Sequence, residues 1–151
     1  MGMVSAELYH RPPVSGYGLA RRLERTLKRI EEGDAVDSLD VSVWSPEVPV
    51  TGDSNAVDVY RRFSDWADRQ NVTVEPPFEI RRRRSRVLGE TGEVLITPSI
   101  CLAVYLDETL LAVFPHTDDG GTVTVEDGIR ELDVDRRAVI REDDLERQVL
   151  S

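Results

Sequence analysis

The chain has 151 residues, 40 % of them hydrophobic, which suits one folded domain of roughly 100–150 residues and excludes a wholly disordered chain. Its 29 acidic residues outnumber 19 basic ones, for a formal net charge of -10 at pH 7, a balance that in ordinary cells argues against nucleic-acid binding. No apolar run approaches the roughly 18–20 residues of a membrane span, and the start MGMVSAELYH lacks the basic-then-apolar pattern of a secretion signal, so the cytoplasm is the expected compartment.

VSAELYH (4–10) alternates apolar and polar and predicts a first strand, with Val4, Ala6 and Leu8 on one face. RPPVSGYG then reads as a loop. In LARRLERTLKRIEEG, Leu19, Leu23, Leu27 and Ile30 recur at three- and four-residue spacing and predict a helix with one apolar face. Its opposite face carries Arg21, Arg22, Arg25, Lys28 and Arg29, and Gly33 supplies the stop. LDVSVWS (39–45) predicts a second strand, with Leu39, Val41 and Val43 against Asp40, Ser42 and Trp44. PEVPVTGDS reads as a proline-rich connection that ends in a helix cap at Asp53 or Ser54. AVDVYRRFSDWADRQ predicts a second helix, with Val59, Phe63, Trp66 and Ala67 as its apolar stripe and Val57 and Tyr60 beside it.

Beyond it the period changes to two. FEIRRRRSRV and EVLITP flank GETG and predict a hairpin; SICLAVYL and TLLAVFP flank Asp107 and Glu108 and predict another. TVEDGIREL predicts a short helix, because Thr124 and Asp127 form a capping-box pattern. The expected fold is α/β or α+β: a single domain over 1–133 in the order β-α-β-α-β-β-β-β-α, the hairpins adding antiparallel strands to one mixed sheet with helices packed on it. Residues 134–151 are expected to form a tail, partly helical or frayed.

Among the basic residues only Lys28 is lysine; the rest are arginine. In molar salt the Debye length falls to about 3 Å, so dense carboxylates can hydrate a surface without repelling one another over distance. Arginine pairs well with them, whereas lysine exposes a long apolar stem. Acidic excess and lysine depletion together fit a halophile's protein, and among such proteins net charge does not exclude a nucleic-acid role.

Five arginines, Arg81, Arg82, Arg83, Arg84 and Arg86, crowd six positions of the first hairpin. Side chains alternate across a strand, so both of its faces would be charged and neither would be buried. The hairpin is expected to project, or to lie at a sheet edge. Two readings stand. Charges on an edge block unwanted sheet pairing, with Glu75, Glu79, Glu90 and Glu93 as partners. Alternatively, a two-stranded basic ribbon binds phosphates or enters a major groove.

Several chemistries lack their residues. One cysteine, Cys101, lies among apolar residues, so an internal disulfide is impossible. His10 and His116 are far apart, and no metal-ligand spacing joins them to Cys101. There is no P-loop, no dinucleotide fingerprint at Gly16–Gly18 and no GxSxG elbow. The expectation is a protein with no metal, no cofactor and no catalytic residues.

ELYHRPP, SVWSPEVP, FSDWADRQ and ICLAVYLDETLLAVFPHTDDG together resemble a family of small acidic haloarchaeal proteins known as helix-turn-helix domain proteins. That resemblance implies a DNA-associated regulator with DNA as partner; the charged hairpin, not the resemblance, supplies Arg81–Arg84 and Arg86 as the expected contact. The element order also resembles the thioredoxin fold, and TPSICLAVYLDETLLAVF is similar to its proline–strand–turn–strand segment, with Pro98 at the cis-proline position. Where that fold carries CxxC this chain has Pro12, Pro13, Val14, Ser15 and Gly16. The second resemblance therefore implies a redox-inactive scaffold that binds another protein.

Overall fold

The computed structural model describes residues 2–13, 18–33, 36–51, 54–84 and 91–132. In chain order the elements are β1 (Val4–His10), α1 (Leu19–Glu32), β2 (Ser38–Val43), β3 (Glu47–Pro49), α2 (Asn55–Gln70), β4 (Glu79–Arg84), β5 (Thr91–Ile96), β6 (Ile100–Leu106), β7 (Thr109–Phe114), β8 (His116–Asp118), β9 (Gly121–Val123) and a helical segment at 125–132, α3. The architecture is mixed α+β, as the sequence predicts.

A four-stranded sheet in the order β2-β1-β6-β7 forms the middle layer. β1 and β2 are parallel, joined through α1; β6 runs antiparallel to β1, with Leu8 opposite Leu102. Both faces of β6, a central strand of this sheet, are covered, which is why it reads ICLAVYL with little polar alternation. Ala6, Leu8, Ile100, Leu102 and Val104 point to one side and pack with Ile30 of α1 and Val125 and Ile129 of α3. Tyr9, Cys101, Ala103 and Tyr105 point to the other and pack with Val59, Phe63 and Trp66 of α2.

That second side also receives a separate three-stranded sheet, β3-β5-β4. Val48, Leu95 and the buried Phe78 just before β4 tie it to the core. Aromatic rings join the parts: Tyr9 stacks on Trp44 with centroids 4.8 Å apart, and Trp44 meets Phe78 edge-on at 5.6 Å. The buried Trp44 indole donates Nε1–H to the Pro98 carbonyl at 3.0 Å, so its one polar atom is satisfied.

The sequence differs from the structure at identifiable places. EVP, expected as connection, is a strand; Pro49 is tolerated there because β3 is an edge. The first hairpin pairs with β3 and leaves the main sheet to four strands. Thr91 and Gly92, expected in its turn, are already paired with Arg84 and Arg83, and the connection at 85–90 lies outside the described residues. β8 and β9 form a further small hairpin, His116 pairing with Val123. Ser54 holds the N-cap position of α2 without a side-chain cap, and Asp53 is outside the described residues. The capping box of α3 is present: Thr124 N–H donates to Asp127 Oδ2 and Asp127 N–H to Thr124 Oγ1, both at 3.1 Å. The cis X–Pro bonds are Glu75–Pro76, Pro76–Pro77 and Phe114–Pro115; Thr97–Pro98 is not among them. The expected tail, 134–151, lies outside the described residues.

Candidate nucleic-acid interface

β4 is the outer strand of the three-stranded sheet, and period-two alternation sorts its residues. Phe78 is fully buried and Ile80 is half-covered, on the side that faces the core. Arg82 continues that side past the point where the core ends, and it is exposed. Arg81 and Arg83 fall on the opposite, wet side, also exposed. The hairpin is therefore anchored at its base by Phe78 and Leu95 and carries its charges beyond that anchor. It is not a free two-stranded finger, because β3 pairs with β5.

The guanidiniums are not all unpaired. Arg81 Nε donates to Glu79 Oε1 at 2.7 Å on the same strand, and that hydrogen bond is the main reason the Glu79 carboxyl lies below and the Arg81 guanidinium above its usual range. Arg83 Nη2 lies 2.5 Å from Glu47 Oε1 of β3. Arg82 stands opposite Glu93 in the β4–β5 register and makes no ion pair among the described residues. Three described guanidiniums thus share the sheet with Glu47, Glu79 and Glu93, and their charges balance. Arg84 closes β4 opposite Thr91; Arg86 lies outside the described residues. Exposed pairs of this kind contribute only about 0–1 kcal/mol each, so an incoming phosphate can exchange with them.

A second cationic surface lies on α1. Arg21, Arg25, Lys28 and Arg29 are exposed, while Thr26 and Ile30 on the other side of the helix are buried. Arg22 is turned away from this strip and grips Glu126 of α3 through two hydrogen bonds, Nε to Oε1 at 2.5 Å and Nη2 to Oε2 at 3.0 Å.

Other polar side chains are held within the domain, although Arg11 Nε is buried without a hydrogen-bond partner among the described residues. Tyr9 Oη donates to Glu7, and Arg62 Nη1 donates to Tyr105 Oη at 3.1 Å. Burial pushes both phenols above their ordinary pKa. The buried Cys101 thiol is pushed up by desolvation, the reverse of what a reactive thiolate needs. His10 and His116 each donate Nδ1–H to a backbone carbonyl, Arg11 and Val113, at 2.7 Å. Among the described residues no three His, Cys, Asp or Glu side chains could together hold a metal ion.

The sequence points to Glu79 as an arginine partner and not to Glu47, because PEVPVTGDS reads as a proline-rich connection. A three-residue strand held by tertiary pairing has no period long enough to detect.

A family model described as a helix-turn-helix domain matches residues 2–137. No curated protein and no solved structure matches the chain. Among the described residues no two helices are joined by a turn of three or four residues: β2 and β3 separate α1 from α2, and β4 to β9 separate α2 from α3.

Proposed function

The chain belongs to this helix-turn-helix domain family, and from that membership we propose that it is a DNA-associated transcriptional regulator working inside the cell of a halophile. The family match over residues 2–137 carries the reading. The arginine-rich strand supports it: Arg81, Arg82 and Arg83 are exposed on an edge strand whose base is fixed in the core. Arg84 and Arg86 extend the same run in sequence. In this reading Arg82 meets phosphate directly, while Arg81 and Arg83 leave Glu79 and Glu47 to do so. Arginine suits the task because its fork of donors matches a phosphate's oxygens. The acidic composition with a single lysine supports the halophile setting.

The test is binding of a fluorescein-labelled random duplex, for wild type and for a variant with Arg81 to Arg84 replaced by Ser. Weaker binding by the variant supports β4 as a contact. Absence of any wild-type binding removes the regulator reading.

A redox-inactive, thioredoxin-like scaffold that binds another protein is the second reading. Exposed Val41 and Val43 on β2 favour it, because among the described residues this outer strand of the main sheet offers an unpaired backbone edge beside apolar side chains.

A further inference from the structure

We propose that the exposed face of α1 is a phosphate-binding surface of the protein, with Arg21, Arg25 and Arg29 as a ladder along one strand of duplex DNA. The proposal rests on the DNA-associated reading and adds to it a surface that the arginine hairpin does not include.

The three arginines stand at i, i+4 and i+8, which places them on adjoining turns of one helical face. At 1.5 Å per residue the ladder is roughly 12 Å long. One DNA strand carries a charge about every 3.4 Å of axis, so the ladder spans about three phosphates. Lys28 lies on the same face and is held loosely by Glu32 at 3.9 Å. At about 100° per residue, Glu24 and Glu31 are rotated roughly 60–80° from Arg21 and border the strip, while Glu32 lies on it and closes its C-terminal end beyond Arg29.

Pairing separates this surface from β4. Arg81 and Arg83 already hold carboxylates of their own domain. Arg21, Arg25 and Arg29 hold none among the described residues. Their side chains are exposed, whereas Arg22, one position along, is committed to Glu126. That pair and the burial of Thr26 and Ile30 fix the helix, so the ladder is presented on a rigid element. In a chain of net charge -10 such a strip concentrates positive potential where the surroundings are negative.

Placement makes the two surfaces independent. α1 packs on one face of the four-stranded sheet, and β4 belongs to the layer on the other.

The experiment measures affinity for a fluorescein-labelled 20-base-pair random duplex against salt concentration. Four proteins are compared: wild type, Arg21→Ser/Arg25→Ser/Arg29→Ser, the same three positions changed to Lys, and Arg81 to Arg84 changed to Ser. Each neutralised phosphate contributes about 0.9 to the log–log salt slope, so the α1 serine variant loses about 2.7 from the slope and at least about tenfold in affinity near 0.1 M salt. The lysine variant keeps the wild-type slope, since a point charge suffices for phosphate, and its folding is checked by thermal melting. An α1 serine variant that binds like wild type overturns this inference while the DNA-associated reading stands. So does a lysine variant that is folded yet has lost the slope. No binding by wild type overturns both. Preference for an RNA duplex of the same sequence overturns the assignment to DNA.

Discussion

Arg83 of β4 reaches Glu47 of β3 across the intervening strand β5, with 2.5 Å between Nη2 and Oε1. Gly92, directly opposite Arg83 on β5, places no side chain beside it. The contact ties the arginine run back to its own domain and sets how much of its charge is available outside. Glu47→Gln keeps the shape and removes the countercharge. Stability is expected to change by less than about 1 kcal/mol, because both side chains are about half exposed. If β4 touches DNA, duplex affinity rises as Arg83 is released. Urea denaturation and fluorescence anisotropy on the same protein check the two halves; a fall in affinity would contradict the role given to Glu47.

Glu126 gives the fold an acid limb. Its carboxyl is lowered from 4.5 to about 2, first by the hydrogen bonds from Arg22, with burial opposing. A depressed carboxyl pKa stabilises the fold above the unfolded value and loses that contribution as pH falls from about 4.5 to about 2. Glu126→Gln is expected to lower stability at pH 7 by about 1 kcal/mol, a figure reduced for the partial exposure of the pair. The difference between variant and wild type should shrink steadily between pH 4.5 and 2 and vanish below it. Urea midpoints across that range measure it.

Gly128 sits inside α3 against the Phe114 ring, and a Cβ there would lie 2.4 Å from it. Alanine is the better helix former by about 1 kcal/mol. Overpacking costs about 1–3 kcal/mol and more when a ring must move. Gly128→Ala is therefore expected to destabilise despite its propensity gain, lowering the thermal midpoint. A raised midpoint would show that α3 shifts freely off the sheet.

Trp44→Phe removes the donor to the Pro98 carbonyl while keeping an aromatic ring for the stack on Tyr9. The unsatisfied buried carbonyl is expected to cost about 1–3 kcal/mol. Denaturant unfolding followed by Trp66 fluorescence gives the value.

What the sequence made legible follows from length and period. α1 and α2 were readable because their apolar stripes run over several turns, and Val59, Phe63, Trp66 and Ala67 do face the core or are buried there. α3 was readable from its cap, since Thr124 and Asp127 lie three apart. The second sheet was not readable: β3 is three residues long and is defined by its pairing with Leu95, which no local pattern announces. Val41 and Val43, expected on a buried face, are 45 % and 61 % exposed because β2 is an edge where the helical cover ends. Of the candidate interface, the arginine positions were plain in the sequence, but their carboxylate partners depended on that unseen sheet. The α1 arginines were equally plain, and only the structure separated Arg22, paired with Glu126, from Arg21, Arg25 and Arg29.

The most direct measurement is the salt dependence of wild-type binding to random duplex DNA. An account in which exposed arginines take up phosphates predicts measurable affinity near 0.1 M salt and a log–log slope of about -3 or steeper, from three or more contacts. A slope near zero, or no binding at low salt, would contradict it.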